Sequence, residues 1–407
     1  MNKEAISLEK AVSNIQHAAS DKNYPLLTAI FFWCGLVVVS NLYVTIPLVS
    51  IFSDTFDVST AQATWTSSVF SLCYAVGFLF FGPLSDRYGR KTIILIGLGA
   101  LAVVSPIIGL FHSLPLLVAL RGVQGIAAAT FAPAALAYVV EVFPADKRVT
   151  AIGFVSTGFL MSGIVGQVIS SLISQHFGWN KVFYLLGVIY LLSAFLVALF
   201  LPANDARREE GGVLASFTQM GKVFVKRNLL KCYIITVTLL LSFVGMYTAL
   251  GSYLSSPAFG LGGQDILYVR TFGILGMLLS PFAGRLVAKF GILTVLRGGL
   301  ACSVFGLAIL GASSNLAFLV AMSIVFVAGI SITVPTLISL VGQLGGDARG
   351  AAVSLYTFIL FIGATIGPMI VVDLLKAGSY LLTFETLALL LGIGLSVSFF
   401  IQQENRL

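Results

Sequence analysis

The chain has 407 residues, of which 58% are hydrophobic and only 10% charged, with a formal net charge of +7. Soluble domains carry about 25% charged residues and cannot hide this much apolar surface, so a water-soluble enzyme is excluded and an all-α membrane protein is indicated. The basic surplus is no argument for nucleic acid, because its placement marks one side of a membrane instead.

Residues 1–23 are polar, carry Glu4, Lys10 and Asp21, and lack a compact apolar core before a cleavage site, so they read as a cytoplasmic tail and not as a secretory signal. Apolar segments follow at about 25–51, 60–81, 92–111, 115–140, 150–175 and 181–201. After a polar break they resume at 229–254, 265–287, 293–312, 315–340, 351–374 and 381–402. Each is close to the roughly 20 residues that cross a bilayer, which predicts twelve transmembrane helices. With both termini in the cytoplasm, 19 of the 23 Lys and Arg fall inside, and Lys181, Arg270 and Lys376 fall outside. Arg121 lies within a span. That asymmetry sets the orientation expected in a cell (inner) membrane. Cys34, Cys73, Cys232 and Cys302 sit in apolar runs without metal-ligand spacing and read as inert buried thiols. No metal site or organic cofactor is expected.

The longest polar interruption, 202–228, contains Arg207-Arg208-Glu209-Glu210-Gly211-Gly212 and divides the spans six and six. The expected units are the tail 1–23, an N-terminal bundle 24–201, a cytoplasmic linker 202–228 and a C-terminal bundle 229–407. Leu214, Phe217, Met220, Val223 and Phe224 recur at helical spacing with Lys222 and Lys226 between them, which suits a helix lying at the inner interface or a longer connector. The halves repeat. An offset of 202 places Gly82 on Gly284, Gly89 on Gly291, Gly97 on Gly299 and Pro133 on Pro335. An offset of 201 places Asp146 on Asp347, Arg148 on Arg349 and Gly166 on Gly367. Glycine and proline answer to backbone demands, so these matches predict two pseudo-symmetric six-helix bundles in parallel orientation, with a substrate site between them near the midplane.

Gly82-Pro83-Leu84-Ser85-Asp86-Arg87-Tyr88-Gly89-Arg90-Lys91 packs four charges between the second and third spans. It reads as a short polar hinge in which Gly82 and Gly89 let the backbone turn, and Arg87, Arg90 and Lys91 mark the cytoplasm. The stretch resembles the signature loop of the major facilitator superfamily, Gly-x-Leu-Ala/Ser-Asp-Arg-x-Gly-Arg-Lys. That resemblance implies a conformational gate in which Asp86 faces the amino end of the span beginning near Ala351, and Arg90 reaches Glu141. The second copy has Ala288, Ile292 and Leu293 where the first has Asp86, Arg90 and Lys91, so the charged gate is one-sided. The alternative is that these charges only set topology.

Arg121 is costly inside a span, about 2.5–3.5 kcal/mol on insertion scales, and something should offset it. Arg121-Gly122-Val123-Gln124-Gly125 is similar to the superfamily's fourth-helix motif Arg-Gly-x-x-Gln-Gly, with one residue fewer. The resemblance implies that Arg121 and Gln124 couple protons or orient substrate. The other reading is an arginine snorkelling to backbone carbonyls near the outer rim. The first span has no Asp or Glu, and Glu385 suits either a protonation site or a solvated helix start. A proton gradient as driving force is therefore what the resemblance implies. Gly158, Ser162 and Gly166 in the fifth span, echoed by Gly363 and Gly367, make flat faces for close helix packing. Asn41, Tyr43, Gln167, Tyr247 and Tyr356 join Gln124 as candidates for the cavity. The resemblance implies a monomeric alternating-access transporter, exporting a small organic compound or drug, similar to bacterial multidrug or sugar-efflux permeases. An importer or uniporter, a lipid exporter and a transporter-like receptor remain open alternatives.

Overall fold

The computed structural model describes residues 23–202, 221–376 and 378–402, and within them the chain is helical without strands. Eleven helices are long and apolar enough to cross a bilayer: Thr60–Tyr88, Arg90–Leu110, Leu114–Val142, Ala145–Phe177, Trp179–Phe200, Arg227–Ser255, Gly263–Phe290, Ile292–Leu310, Leu316–Gly345, Arg349–Lys376 and Tyr380–Ser398. Two shorter apolar helices, Tyr24–Ser40 and Ile46–Phe56, form the first span. The twelve expected spans are therefore present, numbered here in chain order. Leu214, Phe217 and Met220 lie outside the described residues. Of the expected interfacial helix only its end is seen, where Val223 is buried and Phe224 stacks on Tyr233 at 6.0 Å.

Polar side chains fix several starts. Asn23, Ser59, Asn315 and Ser379 each accept the free N–H three residues on, and Gln62 returns the bond to Ser59 N to complete a capping box. The stretch 82–91 differs from the expected hinge. Gly82 to Tyr88 continue the second helix, and Gly89 alone turns, with φ of 91°. Gly82 is there for close packing, because a Cβ on it would overlap the Ser354 side chain of the eleventh span. Gly291, the repeat of Gly89, likewise has φ of 83° and separates the eighth and ninth spans.

The repeat is visible in which helices touch. Gly158 and Gly166 bring the fifth span onto the backbone of the first, where added Cβ atoms would lie 2.6 Å from Phe32 O and 2.8 Å from Ser40 O. Gly363 and Gly367 bring the eleventh onto the seventh, against Leu241 N at 3.1 Å and Leu241 O at 2.5 Å. In lipid there is little hydrophobic drive between helices, so such close backbone approach supplies the packing energy. Ser162 adds a second contact between the first and fifth spans, its carbonyl accepting from Ser40 Oγ at 3.3 Å. Between bundles the pairing crosses over: the second span meets the eleventh at Gly82, and the fifth meets the eighth, where Gly284 lies against Thr150 and Gly153 against Ser280 O. The bundles differ in continuity. The first span is broken at Asn41–Thr45 and the eighth is segmented at Phe272 and at Leu278–Leu279, whereas the seventh and second run unbroken.

Gly97 and Gly99 separate packing from helix propensity. A Cβ on Gly97 would strike Thr130 Oγ1 and stand 2.7 Å from Ala127 O, while one on Gly99 meets nothing within 4 Å. Gly97→Ala should destabilise the purified protein by about 1–3 kcal/mol, whereas Gly99→Ala should leave it unchanged or slightly stabilised. Thermal midpoints of the two variants in one detergent check this; equal shifts would refute the packing role.

Candidate functional site

Three buried or half-buried arginines organise the interior. Because Gly89 turns the chain, Arg90 folds back along the second span, where it is only 2% exposed. Its Nη1 donates to Gly82 O at 3.2 Å and to Ser85 Oγ, while Nη2 donates to Asp86 Oδ1 and, at 2.8 Å, to Glu141 Oε1. Nε lies 3.5 Å from Glu141 Oε2. Gly350, in the first turn of the eleventh span, closes over this cluster: a Cβ there would stand 2.5 Å from both Asp86 Oδ1 and Arg90 Nη2. The fold thus brings Asp86 against the amino end of the eleventh span, where a carboxylate is favoured by about 0.3–1 kcal/mol, and joins Arg90 to Glu141. Arg87 and Lys91 stand outside the cluster. Arg87 rests over Tyr88 at 5.6 Å, and Lys91 donates to Ala198 O at 2.8 Å.

Arg121 is fully buried and does not snorkel. Nε donates to Thr66 O at 3.1 Å, and Nη1 to Asn41 Oδ1 at 2.5 Å and to Gln124 Oε1 at 2.8 Å. Nη2 donates to Asn41 O at 2.9 Å and to Thr45 Oγ1 at 3.4 Å, and the guanidinium lies 4.2 Å over the Phe70 ring. All five N–H groups have acceptors, and every acceptor is neutral. Gln124 is held in turn by Ser105 Oγ at 2.8 Å. Arg121, Gln124 and Asn41 are therefore brought together, inside the N-terminal bundle and away from the interface between bundles.

A cavity of about 290 Å³ occupies that interface. Tyr43, Gln167 and Tyr247 line it, with Phe159, Leu160, Phe243, Val334 and Phe361 making its apolar wall. Asn41 and Tyr356 do not line it and are fully buried. Close contacts across the bundles flank its end toward the 82–91 face: Gly82 on Ser354, Gly284 on Thr150, Gly342 on Val140 and Thr157 Oγ1 to Met277 O at 3.3 Å. The lining residues continue toward the other face along Ile46, Gln167, Thr248, Arg270 and Pro368. Arg270, counted on the outer side and one turn into the eighth span, lines the cavity. None of the described lining residues is Asp or Glu. Glu385 is exposed.

Twelve helical spans in two bundles, with a mostly apolar cavity between them closed toward one face, define a polytopic membrane transporter. The chain belongs to the Major Facilitator Superfamily, whose description matches residues 31–368. It is similar to an uncharacterized transporter of Buchnera aphidicola subsp. Schizaphis graminum, 26% identical over 357 residues that cover 87% of this chain and 86% of that protein. It is also similar to the tetracenomycin C resistance and export protein of Streptomyces glaucescens, 30% identical over 261 residues, 64% of this chain and 44% of that protein. Among solved structures, the E. coli fucose:proton symporter FucP shares the fold with a TM-score of 0.75 at 18% identity, over 93% of this chain and 98% of that one. Members of the superfamily are transporters and not enzymes.

Removing Arg121 should leave Asn41 Oδ1, Asn41 O, Thr66 O and Gln124 Oε1 without their donor. Each buried orphan costs about 1–3 kcal/mol. Arg121→Leu should therefore lower the thermal midpoint clearly, and Arg121→Lys, with three donors for five acceptors, should recover only part of it. A variant as stable as the parent would show that the network contributes nothing.

Proposed function

We propose that the protein is a secondary transporter of the bacterial inner membrane that exports a small organic compound by alternating access, working as a monomer with both termini in the cytoplasm. The observation that carries this reading is the cavity between the bundles, apolar with a few placed polar groups and closed on the face of the basic 82–91 stretch. Export is supported by the tetracenomycin C resistance and export protein among the relatives. On this reading the linker 202–228 joins two bundles that rock against each other. Asp86, Arg90, Glu141 and Gly350 form the inner gate, held in the outward-facing state and released when the eleventh span moves off the second.

The proton gradient is the proposed driving force, and the lining restricts where coupling can occur. With no carboxylate among the described cavity residues, the lining itself offers no acid to carry the proton. Both ion pairs of Arg90 lie within the N-terminal bundle, so the charged contact that crosses to the other bundle is Asp86 at the amino end of the eleventh span, worth about 0.3–1 kcal/mol.

Everted membrane vesicles given ethidium, a neutral anthraquinone and naphthalene-2-carboxylate, with and without a pH gradient, test the reading. Vesicles with the protein should accumulate at least one class of compound when the gradient is present. Asp86→Asn and Gly350→Leu should each cut that accumulation about tenfold with unchanged amounts of protein in the membrane, since each reaches the same contact from opposite bundles. Unaltered transport in both variants would remove the gate from the mechanism, and no accumulation of any class would remove export.

A further inference from the structure

Arg270 is the one charged residue among the described lining of the cavity, and its situation is unlike that of the other two interior arginines. Arg121 has acceptors for all five N–H groups, and Arg90 has two carboxylates. Arg270 makes one hydrogen bond among the described residues, from Nη2 to Tyr247 O at 2.9 Å. Its Nε is buried without an acceptor, and no described carboxylate lies within 4.0 Å of it. The Tyr247 ring sits 5.8 Å from the guanidinium, and the Tyr247 hydroxyl is likewise buried and unpartnered. The Tyr247 hydroxyl packs on Gly273, where an added Cβ would overlap it, so the donor with open capacity at the cavity is the guanidinium, whose Nη1 makes no hydrogen bond among the described residues.

An unpaired cation in such a place is expensive unless something arrives to use it. The same low polarity that makes it costly when empty makes a charge-assisted hydrogen bond strong when filled. A guanidinium presents its donors in a planar fork that suits a carboxylate or sulfonate. Most of the wall, including Phe159, Leu160, Phe243, Val334 and Phe361, suits an apolar body. A lone positive charge with no carboxylate opposite favours a single negative charge on the ligand, and it disfavours the lipophilic cations often assumed for exporters.

We infer that the cavity binds an amphipathic organic monoanion, with its acid group on Arg270 and its aromatic or alkyl body against the apolar wall. This deepens the export reading and rests on it for the direction of movement, while the binding itself does not depend on direction. Gln167 lines the same cavity from the other bundle, its Nε2 committed to Gly163 O at 2.5 Å and its Oε1 left as an acceptor, so it would touch polar parts of the body rather than the acid. A ligand bound to Arg270 in the C-terminal bundle and packed on Tyr43 and Phe159 in the N-terminal one would bridge both halves, which is what a substrate must do to influence their rocking.

Calorimetry on the full-length protein in nanodiscs, with naphthalene-2-carboxylate, 2-naphthamide and 2-naphthyltrimethylammonium as probes, tests the assignment. The carboxylate should bind at least tenfold tighter than the amide, and the ammonium least. Arg270→Gln should bring the carboxylate-to-amide ratio close to one. Arg270→Lys should keep part of the preference, so a misfolded Arg270→Gln would not leave the answer hanging. A carboxylate that binds no better than the amide, including binding by neither, overturns the proposal, as does an unchanged ratio in a folded Arg270→Gln protein. If vesicles export the anthraquinone or ethidium equally well with Arg270→Gln, the anion assignment falls and export stands. If no compound is exported but the carboxylate binds through Arg270, export falls and the assignment stands.

Discussion

A guanidinium taken out of water must find an acceptor for each N–H or carry the cost, and the interior of this protein is arranged around three answers to that constraint. Arg90 is neutralised by Asp86 and Glu141 and placed where the two bundles meet. Arg121 is saturated by neutral oxygens inside one bundle. Arg270 is left largely open at the cavity between them. The three differ in what their neighbourhood allows to move. A saturated arginine rigidifies, a paired one at an interface can be separated from it only at a cost, and an open one invites a ligand.

The contact between Asp86 and the eleventh span shows how the two halves have diverged. Both halves keep a glycine that lets a helix approach closely across the interface, Gly82 against Ser354 and Gly284 against Thr150. Only the first half adds the charges, since Ala288 and Ile292 stand where Asp86 and Arg90 would be repeated. The steric part of closure is thus shared by both contacts, while the electrostatic part is concentrated at one. A single charged contact is easier to release than two, because the second need not be broken at the same moment.

Much of the fold could be read from the chain. Span number follows from runs of apolar residues, since length against bilayer thickness is a nearly sufficient criterion, and the repeated glycines at an offset of 202 correspond to helix contacts that are in fact equivalent. The failures share one cause. In lipid the outside of a bundle is as apolar as its inside, so hydropathy does not say how a helix is rotated about its axis. Asn41 and Tyr356 were therefore credible as cavity residues, although rotation turns Asn41 toward Arg121 and leaves Tyr356 fully buried within its own bundle. Arg270 falls within the span expected from residue 265, but a charge one turn from a span end reads as facing the aqueous side and not as part of a cavity wall. Gly82 shows a third limit, because a glycine needed for a turn and one needed for close packing are the same letter.

The break in the first span connects the saturated arginine to the cavity. Backbone left unpaired at membrane depth is tolerated only where protein groups replace the lost helical bonds. Between Asn41 and Thr45 those replacements are on hand: Arg121 donates to Asn41 O, and Ser170 Oγ donates to Val44 O at 2.6 Å. With its backbone so held, the broken segment presents Tyr43 to the cavity while Asn41, two residues earlier, faces the other way into the arginine network. The eighth span is segmented on the far side of the same cavity, and it carries Arg270 and Met277 to the wall. The cavity thus has an interrupted span on each side, the first presenting Tyr43 to it and the eighth Arg270.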